Sequence, residues 1–127
     1  MTAPGWMNAV IADFGRAAGA DGLKLNAAGA VALSFANGAA LRFEYTGEEL
    51  VVAVTFALPY GAAAVRRLLA LANPRFAREF RFRAGIVAKT GRAVVAVRLP
   101  ERDVTLPVLN AAFNALWRAA DETGGVA

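Results

Sequence analysis

The residue types that carry most acid–base and nucleophilic chemistry are missing from this chain. It has no histidine and no cysteine. Ser-His-Asp and Cys-His constellations are therefore impossible, as is a zinc site built on imidazole or thiolate ligands. Without cysteine there is no disulfide framework either. Ten carboxylates remain, and two adjacent pairs stand out, Glu48-Glu49 and Asp121-Glu122. The first sits in a turn signal and the second at the end of a helical pattern. Neither has the spacing of a hard-cation loop, and neither supports a carboxylate pair for glycoside hydrolysis. Both read as solvated ends. The glycines make no phosphate cradle: neither G-x-x-x-x-G-K-[ST] nor G-x-G-x-x-G occurs, and Gly22, Gly29, Gly38, Gly47 and Gly91 fall singly at turns. No catalytic residue, metal or cofactor is expected, and the chain does not read as an enzyme.

What the side chains offer instead is surface. The net charge is +4, but ten of the basic residues lie between Arg66 and Arg102, opposed there only by Glu79 and Glu101. Such a concentration attracts acidic partners, and its plainer reading is a set of solvated helix and strand faces. As a nucleic-acid interface it would bind through phosphates alone, because Phe80 and Phe82 are at strand spacing and read first as core. Hydrophobic residues make up 57% of the chain. Much of that is alanine, yet enough remains for part of the apolar surface to serve a partner. The longest apolar run, Leu50 to Leu58, is interrupted by Thr55 and closed by Pro59, far short of the roughly 20 residues that span a bilayer. The start of the chain lacks the basic and apolar regions of a signal peptide. These features predict a cytoplasmic location and no membrane contact.

The elements that must present this surface are legible from periodicity. Trp6, Val10, Phe14 and Ala17 recur at helical spacing with Met7 and Ile11 beside them, and Gly19 is a natural stop. Leu23 and Leu25 flank Lys24 as a short strand. Val31, Leu33 and Phe35 alternate with small residues, Asn37-Gly38 signals a hairpin, and Leu41, Phe43 and Tyr45 alternate with Arg42 and Glu44. Leu50, Val52, Val54, Phe56 and Leu58 form a third main strand whose other face, Val51, Ala53 and Thr55, is less wet. A second helix follows Pro59 and ends at Asn73-Pro74, with Val65, Leu68, Leu69 and Ala72 as its stripe and Leu71 off it. Phe80 and Phe82 alternate towards Ile86, Thr90-Gly91 is a hairpin tip, and Val95, Val97 and Leu99 return with Val94 and Ala96 behind them. In the last helix Leu109, Ala112, Phe113, Leu116, Trp117 and Ala120 share one face. Asp103 or Thr105 caps its start and Pro107 suits the first turn. The prediction is one α+β domain over 1–127, an antiparallel sheet with three helices in the order α-β-β-β-α-β-β-α.

That order resembles the class I chaperones of type III secretion, the Tir chaperone (CesT) family. The N-terminal amphipathic helix, the strands Ala30–Phe35, Leu41–Tyr45 and Leu50–Leu58, the Pro59–Asn73 helix, the Gly85–Leu99 hairpin and the closing helix through Phe113 and Trp117 carry the resemblance. It spans Trp6 to Asp121. It implies a small cytoplasmic dimer that uses no ATP, binds the N-terminal segment of a secreted effector in extended form and keeps it export-competent. A homodimer is the first expectation and a heterodimer the second. Many members are acidic, whereas this chain is basic. Candidate partner-binding residues are Trp6, Val10, Val31, Leu33, Phe35 and Phe43. The family's use of the middle helix and second-half strands in dimers implies Leu68, Leu71, Val94 and Ala96 there. The alternative function is a basic nucleic-acid-binding or regulatory protein-binding domain.

Overall fold

Strict alternation writes the sheet. In the Ala40–Tyr45 strand Leu41, Phe43 and Tyr45 are buried while Arg42 and Glu44 are exposed, as a half-covered strand requires. The computed structural model describes residues 2–59, 61–72 and 80–124. Its elements are α1 (Gly5–Ala17), β1 (Ala30–Ser34), β2 (Ala40–Tyr45), β3 (Glu49–Phe56), α2 (Ala62–Ala70), β4 (Arg83–Ile86), β5 (Ala93–Pro100), a 3-10 turn over Glu101–Asp103, and α3 (Leu106–Glu122). This is the α+β order expected from the pattern. The strands form one antiparallel sheet in the order β1-β2-β3-β5-β4. The β3–β5 pairing closes the sheet's centre after α2 has crossed between them, with Val52 opposite Val97 and Ala53 opposite Ala96.

One face of the sheet carries Leu41, Phe43, Leu50, Val52, Val54, Phe56, Val95 and Val97, all buried. Helix α3 packs on β3 and β5, and α1 packs on α3. Met7, Ile11 and Phe14 of α1 and Leu109, Ala112 and Leu116 of α3 complete the core. The opposite face holds Ala53 at its centre, half-buried Val51, Thr55, Val94 and Ala96, and exposed Arg42, Glu44 and Arg98.

Local signals explain the joints. The hairpin between β1 and β2 is a turn from Phe35 to Gly38, closed by the Gly38 N–H on the Phe35 carbonyl at 3.0 Å. Only Gly38 has positive φ (86°), so this is a three-residue hairpin with a glycine bulge and not the two-residue type that Asn-Gly most often makes. Asn37 Oδ1 accepts from Ala39 N at 3.0 Å and fixes the corner. At the same end of the molecule Arg92 donates to the Gly38 carbonyl at 2.6 Å, tying the β4–β5 hairpin to the β1–β2 hairpin. Gly15 has a different reason. A Cβ there would lie 2.7 Å from both the Ala20 carbonyl oxygen and Leu23 Cβ, so the chain after α1 can fold back closely only over glycine.

Three expectations change. Leu23 and Leu25 do not form a strand. They are buried in an irregular segment, and Leu25 N–H is satisfied by Asn8 Oδ1 at 2.9 Å instead of by a neighbouring strand. The buried residues of α2 are Ala64 and Leu68, with Leu71 following, whereas Leu69 is 55% exposed. The apolar stripe is therefore rotated by part of a turn. Phe80 and Phe82 precede β4, which begins only at Arg83. The helix stop at Asn73-Pro74 lies outside the described residues.

Thr105, not Asp103, caps α3: its side chain accepts from Val108 N at 3.3 Å, with Pro107 in the first turn. Thr105→Ala is expected to lower the unfolding free energy by about 1 kcal/mol, read as a lower urea midpoint with unchanged m-value. The preceding turn is anchored by Tyr45, whose hydroxyl donates to Glu101 Oε1 at 2.5 Å. That bond, with desolvation and the Glu101 charge, raises the Tyr45 pKa above the ordinary phenol value. The neutral phenol thus supports the fold below the unfolded-state pKa, and this support is lost as pH rises through the folded-state value.

Candidate functional site

The site is built on the free edge of β1. This strand pairs only with β2. In an antiparallel ladder every second residue turns its backbone groups to its partner strand and the residues between turn theirs away. Phe35 N–H donates to the Ala39 carbonyl, so Phe35, Leu33 and Val31 face β2 through their backbones. Ala30, Ala32 and Ser34 face outwards. Asn26 occupies the end of this edge: its N–H donates to the Ala30 carbonyl at 2.9 Å and its Oδ1 accepts from Ala30 N at 3.1 Å. Among the described residues, the outward groups of Ala32 and Ser34 have no partner.

Beside this edge lies an aromatic slot. Phe35 sits 5.0 Å from Trp117 and 6.0 Å from Phe113 between ring centroids, and Phe113 and Trp117 are 5.6 Å apart. Phe113 also meets Phe14 edge-on at 5.7 Å, and Phe14 meets Phe43 at 5.6 Å. A row of rings therefore runs from the core to the surface. It ends in a hollow of about 340 Å³ lined by Phe35, Phe113, Asn114, Trp117 and Arg118. Phe113 and Trp117 are half-buried here, on α3 beside Phe35. The slot offers polarisable ring faces for one apolar side chain, with an amide and a guanidinium at hand for a polar neighbour.

The residues singled out from the sequence divide in the structure. Val31 and Leu33 share one face of β1, Phe35 follows just past its end, and all three are half-buried. Val10 is half-buried on α1, and Trp6 is 47% exposed near its start, outside the row of rings. Phe43 corrects an expectation. It is 1% exposed beneath Phe14 and belongs to the core. Leu68 and Leu71 are likewise buried within the chain's own core and present no surface. Val94 and Ala96 are half-buried on the open sheet face. Phe113 and Trp117, read only as the core face of the last helix, turn out to line the slot. Their sequence signal is that two large aromatics four residues apart, Phe113 and Trp117, lie to one side of the smaller stripe Leu109, Ala112, Leu116 and Ala119.

No group of acidic residues among those described could hold a metal ion, and no described helix is long and apolar enough to cross a membrane.

Known structures share this arrangement. The chain is similar to one in the ExsC–ExsE complex, with 20% identity over 94% of this chain and 92% of that one and a TM-score of 0.77. It is also similar to one in the HopA1–SchA chaperone–effector complex (20% identity, 87% and 86% covered, TM-score 0.68). A third is in the Yersinia pestis type III secretion chaperone SycH in complex with a stable fragment of YscM2 (15%, 95% and 99%, 0.69). At these identities the likeness concerns the fold. No curated protein sequence matches the chain. The family model described as the type III secretory system chaperone SycN matches residues 6–124. With a match over nearly its whole length, the chain belongs to this family of non-enzymatic type III secretion chaperones.

Proposed function

We propose that this chain is an ATP-independent cytoplasmic chaperone that binds the N-terminal segment of a secreted effector and keeps it extended and ready for export. It acts in the class I manner of the Tir chaperones. The observation that carries the reading is the unpaired β1 edge lying beside the aromatic slot. An extended segment adds to Ala32 and Ser34 by main-chain hydrogen bonds, and its alternate side chains reach Val31, Leu33 and the Phe35–Trp117 slot. Val10 and Trp6 extend the apolar contact along α1. Protein partners in the ExsC–ExsE and HopA1–SchA complexes support a protein ligand here. Hydrogen exchange tests the mode directly. Adding the effector's N-terminal segment is expected to protect the Ala32 and Ser34 amides. Tight binding with both amides unprotected would rule out strand addition at this edge.

The working form in this proposal is a homodimer, with a heterodimer as the alternative. Because Leu68 and Leu71 are buried in the chain's own core, the proposed contact is centred on the open sheet face around Val94, Ala96 and Ala53. Light scattering is expected to give about twice 13.3 kDa. A stable monomer at micromolar concentration would reject the homodimer, and a requirement for a second, different subunit would select the heterodimer.

A further inference from the structure

Four arginines from the second half of the sequence, Arg81, Arg83, Arg98 and Arg102, line neighbouring hollows at the end of β5. Between the end of β5, the 3-10 turn and the start of α3 lies an open cleft of about 730 Å³. Phe80, Leu99 and Val108 contribute apolar surface to it, and Arg81, Arg98 and Arg102 line it with Asp103. A smaller hollow of about 180 Å³ shares Phe80, Arg81 and Arg98 and adds Arg83. Among the described residues, four exposed guanidinium groups thus surround a half-buried phenyl ring, against one lining carboxylate. Glu49 accepts from Arg98 at 3.3 Å. Among the described residues no carboxylate forms an ion pair with Arg81, Arg83 or Arg102. Among the described residues, none that lines the aromatic slot lines this cleft.

We propose that the cleft binds an acidic, partly apolar segment of a protein partner. Guanidinium groups grip carboxylates in paired hydrogen bonds, and a planar fork serves this better than a point charge. The Phe80–Leu99–Val108 floor takes an apolar side chain of the same segment. A single strand held by base stacking would need exposed aromatic faces, and Phe80, the aromatic ring among the described lining residues, is half-buried. The inference stands whether or not the partner is a secreted effector, because it rests on the cleft's chemistry alone.

Fluorescence anisotropy tests it with the full chain and a labelled peptide of about a dozen residues made of Glu, Asp and Leu. Binding is expected to weaken about tenfold between low and physiological salt. It is expected to weaken about tenfold or more in an Arg81→Glu, Arg102→Glu double variant, from the sum of several modest exposed charge pairs. An Arg16→Glu, Lys24→Glu variant makes the same change in net charge away from the cleft and is expected to stay within about threefold of the unmodified chain. If the charge reversal alters the far-UV spectrum, the Arg81→Gln, Arg102→Gln pair reads the same effect on a folded chain. Equal losses in the two Glu variants would overturn the proposal. So would a cleft variant that binds within about twofold of the original. A single-stranded oligonucleotide of similar length binding as tightly as the peptide would replace it with a nucleic-acid site.

Discussion

Trp117→Ala is expected to weaken binding of the effector segment by about 30- to 1000-fold, the effect of removing an interface anchor worth about 2–4 kcal/mol. The indole forms one wall of the slot, 5.0 Å from Phe35 and 5.6 Å from Phe113. Its loss leaves a shallow depression that no longer excludes water from an inserted side chain. Because Trp117 is half-buried, the variant also loses stability, by about 1–3 kcal/mol. Urea unfolding therefore accompanies the titration, and affinity is referred to the folded fraction. Phe35→Leu provides the second reading. It keeps apolar volume at the end of β1 but removes a ring from the slot, so it is expected to lose affinity with a smaller change in unfolding midpoint. Wild-type affinity in both variants would exclude the slot as an anchor point.

Phe43→Ala is expected to lower the unfolding free energy by about 3–5 kcal/mol, out of a total that for a domain is about 5–15 kcal/mol. The ring is fully enclosed and meets Phe14 edge-on, with an interplanar angle of 83°. Its removal opens a cavity under α1 and unlinks the row of rings that ends in the slot. Chemical denaturation measures the loss directly. A change below about 1 kcal/mol would contradict the core placement. Phe43→Leu separates core from contact: a modest loss of stability with unchanged affinity is the expected pair of results, and the reverse would return Phe43 to the binding surface.

Most of the fold was legible because its strands announce themselves by period. Leu41, Phe43 and Tyr45 alternate cleanly against Arg42 and Glu44, and the structure pairs them in that phase. The helix around Leu109, Ala112 and Leu116 was equally clear. The family was legible at the level of type III secretion chaperones; the matched model is SycN's. Periodicity failed where tertiary contacts decide. Leu23 and Leu25 alternate like a strand, but the Leu25 N–H is satisfied by Asn8 across the chain. Leu69 and Leu71 are interchangeable on a short alanine-rich helix, and only its docking against β4 chooses Leu71 for burial. The slot was hidden for a related reason. Sequence distinguishes apolar from polar faces, whereas the exposure of Phe113 and Trp117 depends on what the fold brings beside them, here Phe35 past the end of β1.

If cargo adds to β1 as proposed, the brevity of this open edge acts as a selectivity filter. With Asn26 closing one end, Ala32 and Ser34 offer a visiting strand only about four main-chain hydrogen bonds, each worth about 0.5–1.5 kcal/mol net. Every polypeptide carries the groups to make those bonds, so they distinguish no cargo from any other. They also fall short of the cost of ordering an unfolded segment, about 1–2 kcal/mol for each residue fixed. A passing chain that brings backbone alone is therefore released. Retention requires side chains that match the hollows beside the edge, and discrimination is thereby moved from the backbone to the sequence of the cargo. The same shortness protects the free protein from aggregation, since two copies meeting edge to edge gain too few bonds to hold together.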